Sequence, residues 1–107
     1  MTISEFQRLI ARIYLDRDRR RGLAGSFMWL CEETGELARA LRRGDPSALR
    51  AEFADVLAWL ATLANIAGVD LEAAASQAYE SGCPKCGGTP CRCPSDGRGD
   101  EPCQARE

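Results

Sequence analysis

The sequence predicts an all-α protein, an antiparallel bundle of about four helices followed by a short cysteine-rich tail. Three observations predict it. Apolar residues recur at three- and four-residue intervals from Ile3 to Tyr79. Glycine and proline punctuate that pattern at Gly22, at Gly44-Asp45-Pro46 and at Gly68, and no stretch alternates with the period of a strand. Beyond position 81 the composition changes: residues 82–107 hold five of the six Cys, four of the five Pro and five of the ten Gly.

The first helix is predicted from about Ile3 to Leu15. Thr2-x-x-Glu5 has the form of a capping box, and Ile3, Phe6, Ile10 and Ile13 make one apolar stripe. The basic run "DRDRRR" at 16–21 reads as a solvated loop closed by Gly22. A second helix follows over roughly Ala24 to Arg43, with Phe27, Leu30, Thr34, Leu37 and Leu41 on one face. Asp45-Pro46 pairs an N-cap with proline at the first helical position, so a third helix starts there and runs to about Ala67. Gly68 suits its C-terminal cap. Asp70 caps a short fourth helix with Leu71, Ala74, Ala75, Ala78 and Tyr79.

The length allows one domain at most: a helical domain over 1–81, followed by a Cys/Gly/Pro-rich tail over 82–107 with a possible zinc knuckle at 83–93 and an end expected to be disordered. The tail lacks the aliphatic residues of a core. About 80 residues must then supply it, few for a monomer, and a homodimer or homotetramer is expected to complete the bundle. The net charge of -2 does not favour nucleic acid as a partner. No segment has the length and apolarity of a membrane helix, and the N-terminus lacks a signal-peptide pattern, so a cytoplasmic location is expected. Histidine is absent. Ser-His-Asp and Cys-His catalysis, His-ligated zinc and Glu-x-x-His di-iron sites are thereby excluded.

The chemistry that remains centres on "LCEETGELARALRRGDPSALRAEFAD". Glu33 and Glu36 project together from the second helix, and Glu52 and Asp55 from the third, because i and i+3 are neighbours on a helix. Glu36 and Glu52 lie at equal distances from Gly44, so the two pairs can meet across a hairpin. Four facing carboxylates repel unless a cation sits among them, and oxygen ligands without His or thiolate select Mg2+ or Mn2+. The competing reading makes these acids surface groups paired with Arg39, Arg42, Arg43 and Arg50. They flank Leu30, Leu37, Phe53 and Val56 rather than lying opposite them, which favours the metal.

The segments "EETGELARAL" and "EFADVLAWLATLANIAGVDLEAA" resemble the MazG-type all-α nucleoside triphosphate pyrophosphohydrolases, whose hallmark is Glu-x-x-Glu on one helix and Glu-x-x-Asp on the next. The resemblance covers roughly residues 24–79. It implies Mg2+-dependent hydrolysis of an NTP or dNTP to the monophosphate and pyrophosphate, in an oligomer, with Glu33, Glu36, Glu52 and Asp55 as ligands. One of these, or Glu32, would orient or deprotonate the attacking water. Trp29 and Trp59 stand four residues from Glu33 and Asp55 and are candidates to wall a nucleobase site, although aromatics at this spacing more often pack in a core. Asn65 is a weaker candidate for the same groove, and Arg42 and Arg43 for phosphate oxygens. Relatives follow the fourth helix with a basic segment; here "AYESGCPKCGG" takes its place, with Lys85 the only lysine in the chain.

In the tail, Cys83-x2-Cys86-x4-Cys91-x-Cys93 places four thiols among turn-forming Gly and Pro, a spacing able to close a tetrahedral S4 zinc site. Free thiols in a disordered tail, or an iron–sulfur cluster, are the other readings. Cys103 is not expected to be a ligand, and Cys31 is most simply a packed thiol. A different class of function also fits these features: a non-catalytic oligomeric helical module presenting a zinc knuckle to a protein or nucleic acid.

Overall fold

A computed structural model describes residues 1–94 of the chain; Cys103 and the rest of the terminus lie outside the described residues. The described secondary structure is entirely helical, in the order α1 (Ile3–Arg43), α2 (Pro46–Ala67) and α3 (Leu71–Tyr79). The chain divides into two compact units, Met1–Leu71 and Glu72–Glu107. Among the described residues no single helix is long and apolar enough to cross a membrane.

The caps of the first unit follow from local chemistry. Thr2 Oγ1 accepts from the Glu5 amide and Glu5 Oε1 accepts from the Thr2 amide, both at 3.0 Å, which closes the capping box that opens α1. Gly44 ends α1 at φ 71°, where a side chain would be strained, and its N–H returns to the Ala40 carbonyl. Asp45 then accepts from the Ser47 amide at 3.1 Å and Pro46 starts α2. Gly68 closes α2 with its N–H on the Ala64 carbonyl.

The stretch 16–21 is not the solvated loop its charge suggests. It is helical, and the break falls on Gly22 alone, at φ 83° and ψ 174°. Arginine favours a helix intrinsically, and one acid of the run turns inward: Asp18 is 2% exposed. The first and second predicted helices are thus two segments of one element, broken at a residue without a Cβ.

Contacts between α1 and α2 descend one helix as they climb the other. Glu33 meets Glu52, Asp18 meets Thr62 and Gln7 meets Asn65, the order of an antiparallel hairpin. In an unbroken hairpin turning at Gly44, position 18 would lie beyond Ala67, the last residue of α2. The break at Gly22 brings Asp18 back onto Thr62.

Packing of this unit is thin. Ile10, Ala40, Ala61 and Ala64 are its buried hydrophobic residues. Ile3 and Ile13 of the first predicted stripe are exposed, and so are Phe27, Leu41, Phe53, Leu57 and Leu60. These positions sit at helical spacing, as expected of a core, but one copy of the chain does not cover them. In the second unit, α3 is followed by a tight turn in which the Gly87 amide bonds the Cys83 carbonyl at 2.7 Å and the Cys83 amide bonds the Gly88 carbonyl at 2.9 Å.

Candidate active site

The second segment of α1 and the first turns of α2 bring Glu33, Glu52 and Asp55 together. Carboxylate oxygens of the three lie within 4.8 Å of one another. One of them, Glu52 Oε2, is buried with no hydrogen-bond partner. Glu33 responds to this crowding. Burial, the hydrogen bond with Glu52, and the charges of Asp55, Glu52 and Glu36 push its carboxyl up to about 7. A buried acceptor without a donor and an acid held partly protonated by its neighbours describe a pocket short of positive charge.

Glu36 does not join the cluster. Both of its oxygens accept from Arg39 Nη1 at 3.2 Å, one turn along the same helix. Glu33 therefore occupies the position opposite Glu52 and Asp55 that equal spacing about Gly44 assigns to Glu36, and the surface pairing with Arg39 applies to this one acid. Glu32 is exposed.

This hairpin carries a family match: residues 24–86, more than half of the chain, match the MazG nucleotide pyrophosphohydrolase domain. The chain belongs to the MazG nucleotide pyrophosphohydrolase family. A comparison with curated proteins gives no match. Within the matched MazG region lie all four acids of the two pairs, both tryptophans, and the first two cysteines of the tail.

The tryptophans of the MazG region stack on each other, with ring centroids 6.0 Å apart and planes 11° from parallel. Trp29 keeps half of its surface exposed, while Trp59 is half-buried and carries the Arg21 guanidinium 4.7 Å from its ring centroid. Beside them runs a cleft of about 220 Å³ lined by Tyr14, Asp18, Arg21, Asp55, Ala58, Trp59 and Thr62. Asp55 belongs to both the acidic cluster and this cleft, so the two are contiguous.

Asn65 lies elsewhere. Its side-chain amide donates to the Gln7 carbonyl at 3.2 Å, and it lines a separate cleft with Gln7, Arg8 and Asp70. Arg43 stands exposed in the last turn of α1 beside Arg42. Asp18, Arg21 and Tyr14 were not among the residues singled out from sequence. They share one helix face at i, i+4 and i+7, a signal hidden by assigning 16–21 to a loop. They also precede the family match, which begins at residue 24.

The four tail thiols Cys83, Cys86, Cys91 and Cys93 come together as a second cluster, each offering a sulfur within 4.8 Å of the others. None of the four is joined in a disulfide, and neither is the exposed Cys31. Backbone N–H groups of Cys86 and Lys85 hold the Cys83 thiol down to about 6, and those of Arg92 and Gly88 lower Cys86.

Proposed function

We propose that the protein hydrolyses a nucleoside or deoxynucleoside triphosphate to the monophosphate and pyrophosphate, using Mg2+ or Mn2+ held by Glu33, Glu52 and Asp55. The observation that carries this reading is the convergence of those three carboxylates around the unpartnered Glu52 oxygen, in a chain of a nucleotide pyrophosphohydrolase family. The residues fit such an ion. They offer oxygen alone, the donor set of a hard cation, and their mutual repulsion is the repulsion a cation relieves. When bound, the ion would neutralise triphosphate oxygens and activate or place a water for attack at phosphorus.

Each remaining residue has a role in this scheme. Glu36 completes the four-acid set by releasing Arg39, and an exposed pair of this kind contributes only about 0.2–1 kcal/mol. Glu32 shares the stripe of Glu36 and orients or deprotonates the water together with Glu33 or Glu36. The exposed face of Trp29 receives a nucleobase, with Trp59 fixing the ring behind it. Arg21 brings a cation to the cleft beside Asp55, and Arg43 supplies another from the end of α1. A substrate role for Asn65 requires it to give up its bond to Gln7.

The exposed apolar face supports a homodimer or homotetramer, since leaving a Leu or Phe in water forgoes about 1.5–3 kcal/mol for each side chain. A cytoplasmic setting suits both the nucleotide substrate and cysteines that are not joined in disulfides.

Incubating the purified protein with a panel of NTPs and dNTPs and Mg2+, and measuring pyrophosphate, tests the proposal. Release that disappears in Glu33→Gln and Asp55→Asn, with helical circular dichroism unchanged, is the expected result. No release from any nucleotide would sink it. It would favour the second reading that the four-thiol cluster supports, a non-catalytic oligomeric module presenting a metal knuckle to a partner.

A further inference from the structure

We propose that Cys83, Cys86, Cys91 and Cys93 hold one Zn2+ ion as a closed structural site. All four sulfurs lie within 4.8 Å of one another, a spacing that suits one shared metal ion rather than disulfides. Cys83 Sγ and Cys93 Sγ are 3.8 Å apart and Cys86 Sγ and Cys91 Sγ are 4.0 Å apart. A zinc–sulfur bond of about 2.3 Å places the corners of a regular tetrahedron about 3.8 Å from one another. A disulfide would need sulfurs about 2 Å apart. An iron–sulfur cluster inserts several irons and sulfides between its thiolates and spreads them beyond the edge of a single tetrahedron.

The backbone is arranged to serve thiolates. Gly88 N–H donates to Cys86 Sγ at 3.4 Å, Arg92 N–H donates to the same sulfur at 3.2 Å, and Cys93 N–H donates to Cys91 Sγ at 3.3 Å. Donors aimed at sulfur stabilise the ionised form, which is the form that binds a metal. The Cys83–Gly88 turn exists because its glycines leave room. A Cβ on Gly88 would stand 2.7 Å from the Pro90 carbonyl oxygen and 3.3 Å from Cys86 Sγ. Four thiolates around a dication make a doubly negative centre, and Lys85 and Arg92 stand within the same loop to offset it.

Four protein ligands leave no open position, so the ion is structural and not catalytic. Thiolate donors also bind zinc more tightly than ferrous iron, which selects zinc where both are present. The family match ends at residue 86, so Cys91 and Cys93 lie outside it and the complete site belongs to this chain rather than to the matched region. With one ion bound, a segment too poor in aliphatic residues to bury a core gains a fixed conformation.

The test is the metal content of the full-length protein, purified without chelator and passed through gel filtration. About one zinc per chain is expected, together with the visible bands of tetrahedral thiolate coordination after exchange with Co2+. Cys86→Ser and Cys91→Ser should weaken zinc binding by more than the roughly 10–100-fold that outer-sphere partners are worth. Cys31→Ser should retain the full complement. The wild-type metal count and cobalt spectrum need no variant, so misfolding of a variant cannot mask the answer. Iron in place of zinc, disulfides found by mass spectrometry after alkylation, or less than about half an equivalent of zinc would each overturn the proposal.

Discussion

Thr62 donates its hydroxyl hydrogen to Asp18 Oδ2 at 2.9 Å, and both side chains are buried. Asp18 Oδ1 accepts from Arg21 at 3.0 Å, and the same Arg21 nitrogen reaches Ser26 Oγ at 3.3 Å. Ser26 lies beyond the break at Gly22 and is fully buried. One carboxylate therefore ties α2 to the first segment of α1, and through Arg21 to the second. In a hairpin whose buried hydrophobic residues are mostly alanine, this polar staple carries an unusual share of the specificity.

Replacing Asp18 by Ala should be costly, because it leaves Arg21 and Thr62 without their acceptor. Breaking a fully buried pair costs about 3–5 kcal/mol; the Arg21 side chain is 28% exposed, so about 2 kcal/mol is expected. Urea unfolding at fixed protein concentration measures it, and a loss below about 0.5 kcal/mol, the range of ordinary surface changes, would refute the staple. Asp18→Asn keeps an acceptor for Thr62 and should cost less.

The acidic cluster predicts a pH dependence with a definite sign. Glu33 is raised from its ordinary 4.5 to about 7, so the folded state binds a proton that the unfolded chain has already released. Its contribution to stability is full below pH 4.5 and is lost as the pH rises through 7. In magnesium-free buffer without chelator, the melting temperature should fall between pH 5 and pH 8, and Glu33→Gln should flatten that fall. Glu33→Gln should also melt higher than wild type at pH 8, by about 4 °C if the relief is worth ~1 kcal/mol, while losing activity. A wild-type profile that rises over this window, in contrast to the variant, would contradict the assignment.

Magnesium binding should release protons for the same reason. Calorimetric titration near pH 7 in two buffers of different ionisation enthalpy should show about half a proton released per ion bound at Glu33, the fraction still protonated there. Equal heats in the two buffers would mean that Glu33 is already ionised.

Arg39→Ala should free Glu36 to turn toward the cluster. An exposed pair is worth at most about 1 kcal/mol, so the apparent magnesium affinity should rise by roughly two- to fivefold. Unchanged affinity together with full activity in Glu36→Gln would remove Glu36 from the metal site.

Leu60 is 43% exposed in the single chain. On a monomer, Leu60→Asp would lower stability but leave the molecular mass unchanged. In the proposed oligomer it places a charge in an apolar interface, so light scattering should report the monomer mass and the melting temperature should fall by several degrees. A wild-type protein that is itself monomeric would dispose of the oligomer.

Much of this was legible from residues alone. The capping box at Thr2, the Gly44-Asp45-Pro46 turn and the Gly68 cap depend on groups within a few positions of each other, and each sits where those groups require. Glu52 and Asp55 meeting an acid of the preceding helix follows from the same turn, because a short connection sets which residues face one another. The four tail cysteines converge because Gly and Pro between them permit tight reversals.

What the sequence determined by itself was therefore the set of short-range choices: where helices start and stop, which faces are apolar, and which acids share a hairpin. Tertiary structure alone decided the longer-range ones. It set Glu33, not Glu36, against Glu52 and Asp55, because which turn of α1 faces a given turn of α2 depends on how the two helices pack. It turned a charged run into a buried anchor, because the break at Gly22 returns Asp18 to Thr62 across the hairpin. A residue's neighbours along a helix are written in its spacing. Its partner on another helix depends on the angle at which the chain comes back, and that angle is a property of the whole fold.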